Sequence, residues 1–214
     1  MERKSPSSWG TAAPLIPEKL SLPALKAAAA ECRACDLWEK GTQTVFGEGL
    51  LTARLILVGE QPGNEEDIEG LPFVGPAGRV LDWALESAGI GRRDAYVTNV
   101  VKHFNWVPKG KLRLHKKPNA REIGACLPWL EAEIELIRPK VLVAMGATAA
   151  QGIFGKDFRV TRDRGRLLPS PFAPFATATV HPSSILRSRT DEERHQAMES
   201  FIEDLKVVAA VLKE

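Results

Sequence analysis

The sequence is poor in cysteine and in long apolar runs, and both scarcities limit what the protein can be. Three cysteines in 214 residues do not suggest a disulfide framework, so we expect a cytoplasmic protein. No apolar run approaches the roughly 18 residues that a membrane-spanning helix requires, which argues against an integral membrane protein. Residues 1–20 also lack the continuous apolar stretch of a secretory signal.

A large excess of one charge is missing as well. The 29 Lys and Arg residues nearly balance the 27 Asp and Glu residues, which leaves a net charge of +2. This balance argues against a protein that coats nucleic acid through its overall charge, but it is compatible with a local basic patch. Neither a repeat nor a linker divides the chain. We therefore predict a loosely ordered leader over residues 1–20 and a single, monomeric domain over residues 21–214.

Apolar strand-like segments alternate with helical ones along the chain. Short apolar runs that end in loop residues predict buried strands, and apolar residues at helical spacing predict helices between them. The strands are predicted within residues 53–60, 94–104, 140–145 and 175–182, and the helices within 22–32, 75–90, 119–139, after Gly146, and 191–214. This alternation is typical of an α/β protein whose parallel sheet is covered by helices on both faces.

Polar residues follow several of the predicted strands. Glu60 and Gln61 come after the first strand, Asn99 lies within the second, and His181 ends the last. Ligands of such sheets bind at the carboxyl ends of the strands, so we expect these side chains to meet at one site.

The three cysteines and one histidine form a candidate metal site. Cys32 and Cys35 are spaced as C-x2-C, which lets two thiolates bind one metal or cluster, and Cys126 lies far downstream. His103 is the nearest residue that completes a set of four. Spacing alone leaves three alternatives open: a zinc ion, an iron–sulfur cluster, or cysteines that are simply small core residues.

A glycine-rich loop over residues 59–78, "GEQPGNEEDIEGLPFVGPAG", follows the first strand. Its turns allow the backbone to approach a ligand closely. It matches neither the phosphate-binding loop of nucleoside triphosphatases nor the dinucleotide-binding fingerprint, so we reject both functions. Most of its carboxylates are predicted to be solvated. Phe73 is either a core residue or a flat surface on which a planar ligand stacks.

A basic stretch over residues 109–118, "KGKLRLHKKP", predicts a surface that binds phosphate. Its five cations are Lys109, Lys111, Arg113, Lys116 and Lys117. His115 lies among them, and without other motifs it would be one more exposed polar residue of a DNA-binding strip.

Three motifs, in this order, resemble the uracil-DNA glycosylase superfamily in its iron–sulfur branch. They are "GEQPGNEEDIEGLPFVGPAGRVLD", "YVTNVVKHF" and "HPSSILR". The Gln of "GEQPG" and the basic loop before "HKKP" are similar to a narrower group, UdgX. The resemblance extends from about Cys32 to the C-terminal helix. It implies a three-layer α/β/α sandwich around a central, mostly parallel four-stranded sheet.

The resemblance also implies a 4Fe–4S cluster with a structural role. Cluster-bearing relatives have a cysteine just after the strand that carries the Asn, whereas this chain, like the UdgX group, has His103 there. The implied ligands are Cys32, Cys35, His103 and Cys126.

The resemblance further implies a pocket for uracil in DNA, with single-stranded DNA as the expected partner. Phe73 would stack on the base, Asn99 would bind its O4 and N3 edge, and His181 would donate to O2 as negative charge develops. The loop backbone at Gly59 and Gly63 would border the base. The last motif would contact phosphates through Ser183, Ser184 and Arg187, and would wedge Ile185 or Leu186 into the base stack.

For His115 the resemblance implies a covalent role. In the UdgX group the histidine of the basic loop captures C1′ of the sugar, where water would otherwise attack. Nearby cations should keep this imidazole neutral and nucleophilic, and Glu60 would orient it or accept its proton, with Gln61 beside it. Members of that group have an acid where this chain has Asn64. The alternatives are a glycosylase that uses water, a non-catalytic binder of damaged or single-stranded DNA, and a zinc-stabilised module.

Overall fold

The structure is a computed structural model that describes residues 10–213, and this part of the chain contains six strands and eight α-helices. The strands are β1 Leu55–Gly59, β2 Ala95–Asn99, β3 Trp106–Lys109, β4 Leu112–His115, β5 Val141–Met145 and β6 Phe175–Thr179. The helices are α1 Leu22–Ala30, α2 Asn64–Glu69, α3 Pro76–Ser87, α4 Ala120–Ile137, α5 Ala147–Phe154, α6 Val160–Asp163, α7 Pro182–Leu186 and α8 Asp191–Lys213.

Four strands form one parallel sheet in the order β2-β1-β5-β6. All residues of β1, β2 and β5 are buried, because helices cover both faces of the sheet and leave no side for polar residues. One face packs on side chains of α1, α4 and α5, such as Leu25 and Trp129. The other packs on α3, α7 and α8, through Leu81 and Phe201 among others. The three-layer α/β/α sandwich predicted from the sequence is thus confirmed.

The parallel arrangement gathers the loops that follow the strands at one edge of the sheet. Gly59 at the end of β1 is in register with Asn99 at the end of β2. After Asn99 the chain leaves the sheet, although the amide groups of Val100 and Val101 still bond the carbonyls of Gly59 and Glu60. The strand predicted over residues 94–104 is therefore shorter than expected, and its last part becomes the loop that carries His103.

The basic stretch is not a loop but an antiparallel hairpin, β3 with β4, whose turn includes Gly110 in a left-handed conformation. Sequence periodicity did not predict these strands. Trp106 fixes the hairpin to the domain, since its indole N–H donates to the carbonyl of Lys40 at 2.8 Å. The hairpin therefore stands beside the carboxyl edge of the main sheet.

The predicted leader is described only from residue 10 onward, and residues 1–9 lie outside the described part. Ala12 is buried, and its N–H donates to the carbonyl of Ala125 in α4 at 2.9 Å. No helix within residues 10–213 has the length and apolar character that crossing a membrane requires.

Candidate functional site

A cavity of about 860 Å³ opens at the carboxyl edge of the sheet. Its wall includes segments that follow β1, β5 and β6, together with the end of the hairpin. Several residues predicted from the sequence line the cavity. Those that carry its chemistry are Glu60, Phe73, His115, His181 and Arg187. Residues that are far apart in sequence thus share one site.

Asn99 lies beside this cavity with its side chain buried and unsatisfied. Neither Oδ1 nor Nδ2 has a hydrogen-bond partner among the described residues. Buried amides are normally paired, so an amide with both atoms free is adapted to a ligand that presents a donor and an acceptor side by side. Gly59 allows this side chain and the Phe73 ring to lie against the end of β1, because a Cβ there would overlap Asn99 Oδ1 and the Phe73 ring.

Phe73 is held in a left-handed backbone conformation, with φ of 57°. This conformation is strained for a bulky residue and persists only where the surroundings enforce it. Glu66 does so by accepting the Phe73 N–H at 2.7 Å and the Gly63 N–H as well. The aromatic ring therefore lies in a fixed position, with its centroid 5.7 Å from that of the His181 ring.

His181 is the N-cap of α7, and its hydrogen bonds define its tautomer. Nδ1 accepts from the N–H of Ser183 at 3.2 Å and lies 2.9 Å from Ser183 Oγ. Arg187 donates to the same Oγ at 2.9 Å, so the Ser183 hydroxyl donates in turn to Nδ1. The neutral ring then carries its proton on Nε2. Burial, aided by Arg187 and His115, lowers the pKa of His181 to about 4, so the ring is a neutral donor near pH 7.

His115 extends from β4 toward the loop after β1. Its Nε2 lies 3.4 Å from Oε1 of Glu60, while the other carboxylate oxygen accepts a hydrogen bond from the Thr148 hydroxyl. The pKa of His115 is lowered, chiefly by burial, with the nearby Glu60 opposing the shift and Arg187 adding to it. Burial therefore favours the neutral imidazole. The cation that helps to lower this pKa is Arg187 of the last motif, and not a lysine of the hairpin.

Gln61 joins the glycine-rich loop to the base of the hairpin. Its Nε2 donates to the carbonyls of Asn105 and Lys116 at 3.1 and 3.3 Å, and its Oε1 accepts from the Asn105 N–H. These are the contacts of a residue that positions the segment carrying His115. A direct catalytic role for Gln61 stays a prediction.

Four of the five predicted cations are exposed, namely Lys109, Lys111, Lys116 and Lys117. Arg113 differs because its guanidinium is used within the protein. It donates to the buried Asp67 at 2.6 Å and to Asn64 Oδ1 at 2.7 Å, and it lies over the rings of Phe104 and Trp106. Asn64 thus takes part in fixing the hairpin to α2.

The last motif also divides into internal and exposed residues. Ser183 orients His181, and Ser184 donates to the carbonyl of His181 at 2.7 Å. Ile185 is packed in the core, so it is not available as a wedge, whereas Leu186 is exposed. Sequence spacing did not distinguish these two neighbours.

The three cysteines are buried near one another, with no disulfide between them. Burial raises the pKa of the Cys35 thiol to about 11 and that of the Cys126 thiol to about 12, and the charge of Cys32 adds to both shifts. Backbone and indole N–H groups point at the sulfurs: Lys102 N lies 3.3 Å from Cys126 Sγ, and Trp129 Nε1 lies 3.4 Å from Cys32 Sγ. Such N–H donors fit thiolates that bind a metal cluster.

His103 is buried on the loop after β2, with its Nε2 3.0 Å from the hydroxyl of Thr44. That hydroxyl donates to the carbonyl of Ala29, so it accepts from Nε2–H, and the Nδ1 lone pair is left for a metal. Within residues 10–213, no group of three or more His, Cys, Asp or Glu side chains is arranged to hold a single metal ion.

Two residues of the site were not recognised from the sequence. Most carboxylates of the glycine-rich loop were predicted to be solvated, but Glu66 is buried and holds Phe73 in place. Thr148 orients Glu60 from the first turn of α5. The only signal for Thr148 was its place just after a predicted strand, and the acidic run gave no signal for Glu66.

Comparisons with known proteins agree with this fold. A family model for the uracil DNA glycosylase superfamily matches residues 46–206. A type-4 uracil-DNA glycosylase of Thermotoga maritima is 41% identical over 172 residues, which cover 80% of this chain and 86% of that protein. Proteins of the same name from Sulfurisphaera tokodaii and Archaeoglobus fulgidus are 38% and 42% identical, over 68% and 58% of this chain and 66% and 58% of theirs. The chain belongs to the uracil DNA glycosylase superfamily.

Proposed function

We propose that the protein excises uracil from DNA, preferably single-stranded DNA, and stays joined to the abasic sugar through His115, as in the UdgX group. The observation that carries the excision is the buried Asn99 amide, whose two polar atoms have no described partner. Relatives named type-4 uracil-DNA glycosylase support the same substrate.

Uracil fits the chemistry around Asn99. Its O4 accepts and its N3–H donates, so the amide can bind both, whereas the reversed pattern of cytosine would leave two buried groups mismatched. The Phe73 ring offers a face for stacking. The strain and the hydrogen bond that fix Phe73 mean that little ordering is needed when the base binds.

Cleavage breaks the bond between C1′ and N1, and the electron pair leaves with the base. His181 Nε2–H is proposed to donate to O2 as this charge develops. A neutral donor is suited to the task, because its hydrogen bond strengthens only when the oxygen becomes anionic.

His115 is proposed to form the new bond at C1′. A ring nitrogen attacks the electron-poor carbon, and the proton of the resulting imidazolium passes to Glu60. The proximity of Glu60 and the lowered pKa of His115 support this step, since both provide a neutral nucleophile with an adjacent base.

The test is a denaturing gel of the protein incubated with a uracil-containing single strand. We expect a band of protein joined to DNA that survives denaturation, and none with the same strand containing thymine. His115→Ser should abolish this band while uracil release continues, because Asn99 and His181 are unchanged and water replaces the imidazole.

Two other results would contradict parts of the proposal. Uracil release by the wild type without any stable band would make the protein a glycosylase that uses water. Binding of DNA without uracil release would remove the catalytic function as well.

We also propose that Cys32, Cys35, His103 and Cys126 hold a 4Fe–4S cluster, which would tie the N-terminal segment to α4. The sulfurs that accept N–H donors and the free Nδ1 of His103 support this ligand set. The bound cluster would supply a rigid cross-link, and none of the proposed chemical steps passes through it.

The ligand set is tested by iron and sulfide analysis and by the visible absorbance of protein purified without oxygen. Cys126→Ser is expected to lose most of the iron, whereas His103→Cys should retain it, because thiolate is the usual ligand of such clusters. Stoichiometric zinc with no visible absorbance in the wild type would contradict the cluster.

A further inference from the structure

The two faces of the β3–β4 hairpin are chemically different. Directly opposed residues of an antiparallel pair lie on the same face, and the faces alternate along each strand. The cross-strand pairs Trp106–His115 and Pro108–Arg113 therefore share one face. Trp106 and Arg113 contact the domain on this side through Lys40 and Asp67.

The opposite face consists of the pairs Val107–Leu114 and Lys109–Leu112. It is mostly apolar and yet solvated: Val107 and Leu114 are each 40% exposed, and Leu112 is 66% exposed. A solvated strand face normally carries polar residues, so three apolar side chains on one face of a short hairpin require a partner. We call Val107, Leu112 and Leu114 the hairpin patch.

The position and charge of the hairpin patch indicate what that partner is. Leu114 also lines the cavity that contains His115, so the patch adjoins the mouth of the site. Lys109 lies on the same face, and the exposed Lys111 and Lys116 flank it. An apolar surface bordered by cations fits a polymer of flat apolar rings joined by phosphates.

We propose that the hairpin patch binds the unpaired bases beside the target nucleotide in single-stranded DNA, while the flanking lysines bind its phosphates. This inference rests on the proposed function for the identity of the target. It adds a reason for a single-strand preference: in a duplex the neighbouring bases are paired and stacked, so their faces are not available to the patch.

The test compares two DNA single strands with two protein variants. One strand is uracil-free and complete, and the other has the same length and phosphates but lacks the bases beside its centre. The first variant is Val107→Ser with Leu112→Ser, which leaves the cavity-lining Leu114 in place. The matched control is Leu50→Ser, a 59% exposed leucine that precedes β1 at the opposite edge of the sheet.

Fluorescence anisotropy should show that the double variant binds the complete strand about 5–10-fold more weakly than the wild type does. It should bind the base-depleted strand as the wild type does. Leu50→Ser should change neither affinity. The salt dependence of binding should stay the same, because every lysine is retained. A uracil trinucleotide should be processed at the wild-type rate.

Three results would overturn the proposal. An equal loss on both strands would mean that the substitutions disturb the hairpin and not a contact with bases. Unchanged binding would mean that the patch does not touch DNA. Self-association of the wild type that disappears in the double variant would make the patch an interface between two copies. Because the binding measurements use uracil-free DNA, a failure of uracil excision in the wild type would be seen separately.

Discussion

Replacing His181 with alanine is expected to slow uracil excision by about 10²–10³-fold, the usual cost of removing one donor to a developing anion. The hydrogen bonds from Ser183 fix the Nε2–H tautomer, so the substitution removes a donor that is already oriented. Single-turnover uracil release, measured with excess protein, checks this expectation without interference from a covalent product.

The matched control is His195→Ala. This histidine lies on the exposed surface of α8, 3.2 Å from Glu199, and takes no part in the site. The His195→Ala variant should release uracil at the wild-type rate. If His181→Ala also kept the wild-type rate, the proposed donor to uracil O2 would be wrong.

The pH dependence provides an independent check of the same residue. Because the pKa of His181 is lowered to about 4, the imidazolium forms only as the pH falls toward that value. The pKa of His115 is lowered as well, so its neutral form also persists below the usual range. We therefore expect the excision rate to change little between pH 8 and about pH 6. A rate that rises steadily as the pH falls through this range would instead indicate a protonated donor.

Replacing Glu133 with alanine is expected to lower the free energy of unfolding by about 3–5 kcal/mol, because it leaves a buried ammonium without its counter-charge. Lys102 Nζ and Glu133 Oε2 are 2.5 Å apart, and both side chains are almost fully buried. Glu133 also accepts hydrogen bonds from the Tyr96 hydroxyl and the Gly47 N–H. Urea denaturation followed by circular dichroism measures the change.

Two companion variants separate the buried charge from a general effect of substitution. Glu203→Ala removes an exposed partner of Lys206 on α8 and should change the unfolding free energy by less than about 1 kcal/mol. Lys102→Met combined with Glu133→Leu should recover part of the loss, since no charge is then left buried. If Glu133→Ala alone lowered the free energy of unfolding only slightly, this account of the ion pair would be wrong.

The Lys102–Glu133 pair also touches the candidate site. Lys102 Nζ donates to the carbonyl of Asn99 at 2.7 Å, and the backbone N–H of Lys102 points at Cys126. The residue proposed to bind the base and a proposed cluster ligand are therefore hydrogen-bonded to the same lysine. Changes at the pair are expected to affect excision as well as stability.

The sequence predicted where the strands of the main sheet lie, because β1 and β5 are apolar runs buried on both faces and β2 and β6 are short, largely apolar segments that end in loop residues. The hairpin was not predicted. Its strands are only four residues long, and both carry basic residues, so in the sequence they look like a solvated basic loop. Its formation depends on the contacts of Trp106 and Arg113 with distant parts of the chain.

The same distinction applies to the site. Asn99 and His181 were expected at one site because the carboxyl ends of parallel strands must lie together, whereas the role of His115 was proposed from the resemblance to the UdgX group. No pattern revealed that Glu66 is buried under Phe73, that Arg113 is used internally, or that Ile185 is covered while Leu186 is not. These properties depend on which elements pack against each residue.

The sequence by itself thus determined the layered fold, the family and the residue types that meet at one edge of the sheet. The fold and the meeting of these residues follow from hydrophobic patterning and parallel topology, and the family follows from the three motifs. Only the tertiary structure decided the state of each functional group: the unpaired amide of Asn99, the tautomer of His181, the lowered pKa of His115 and the solvated apolar face of the hairpin. Burial and hydrogen-bond partners set these states, and both come from residues that are distant in sequence.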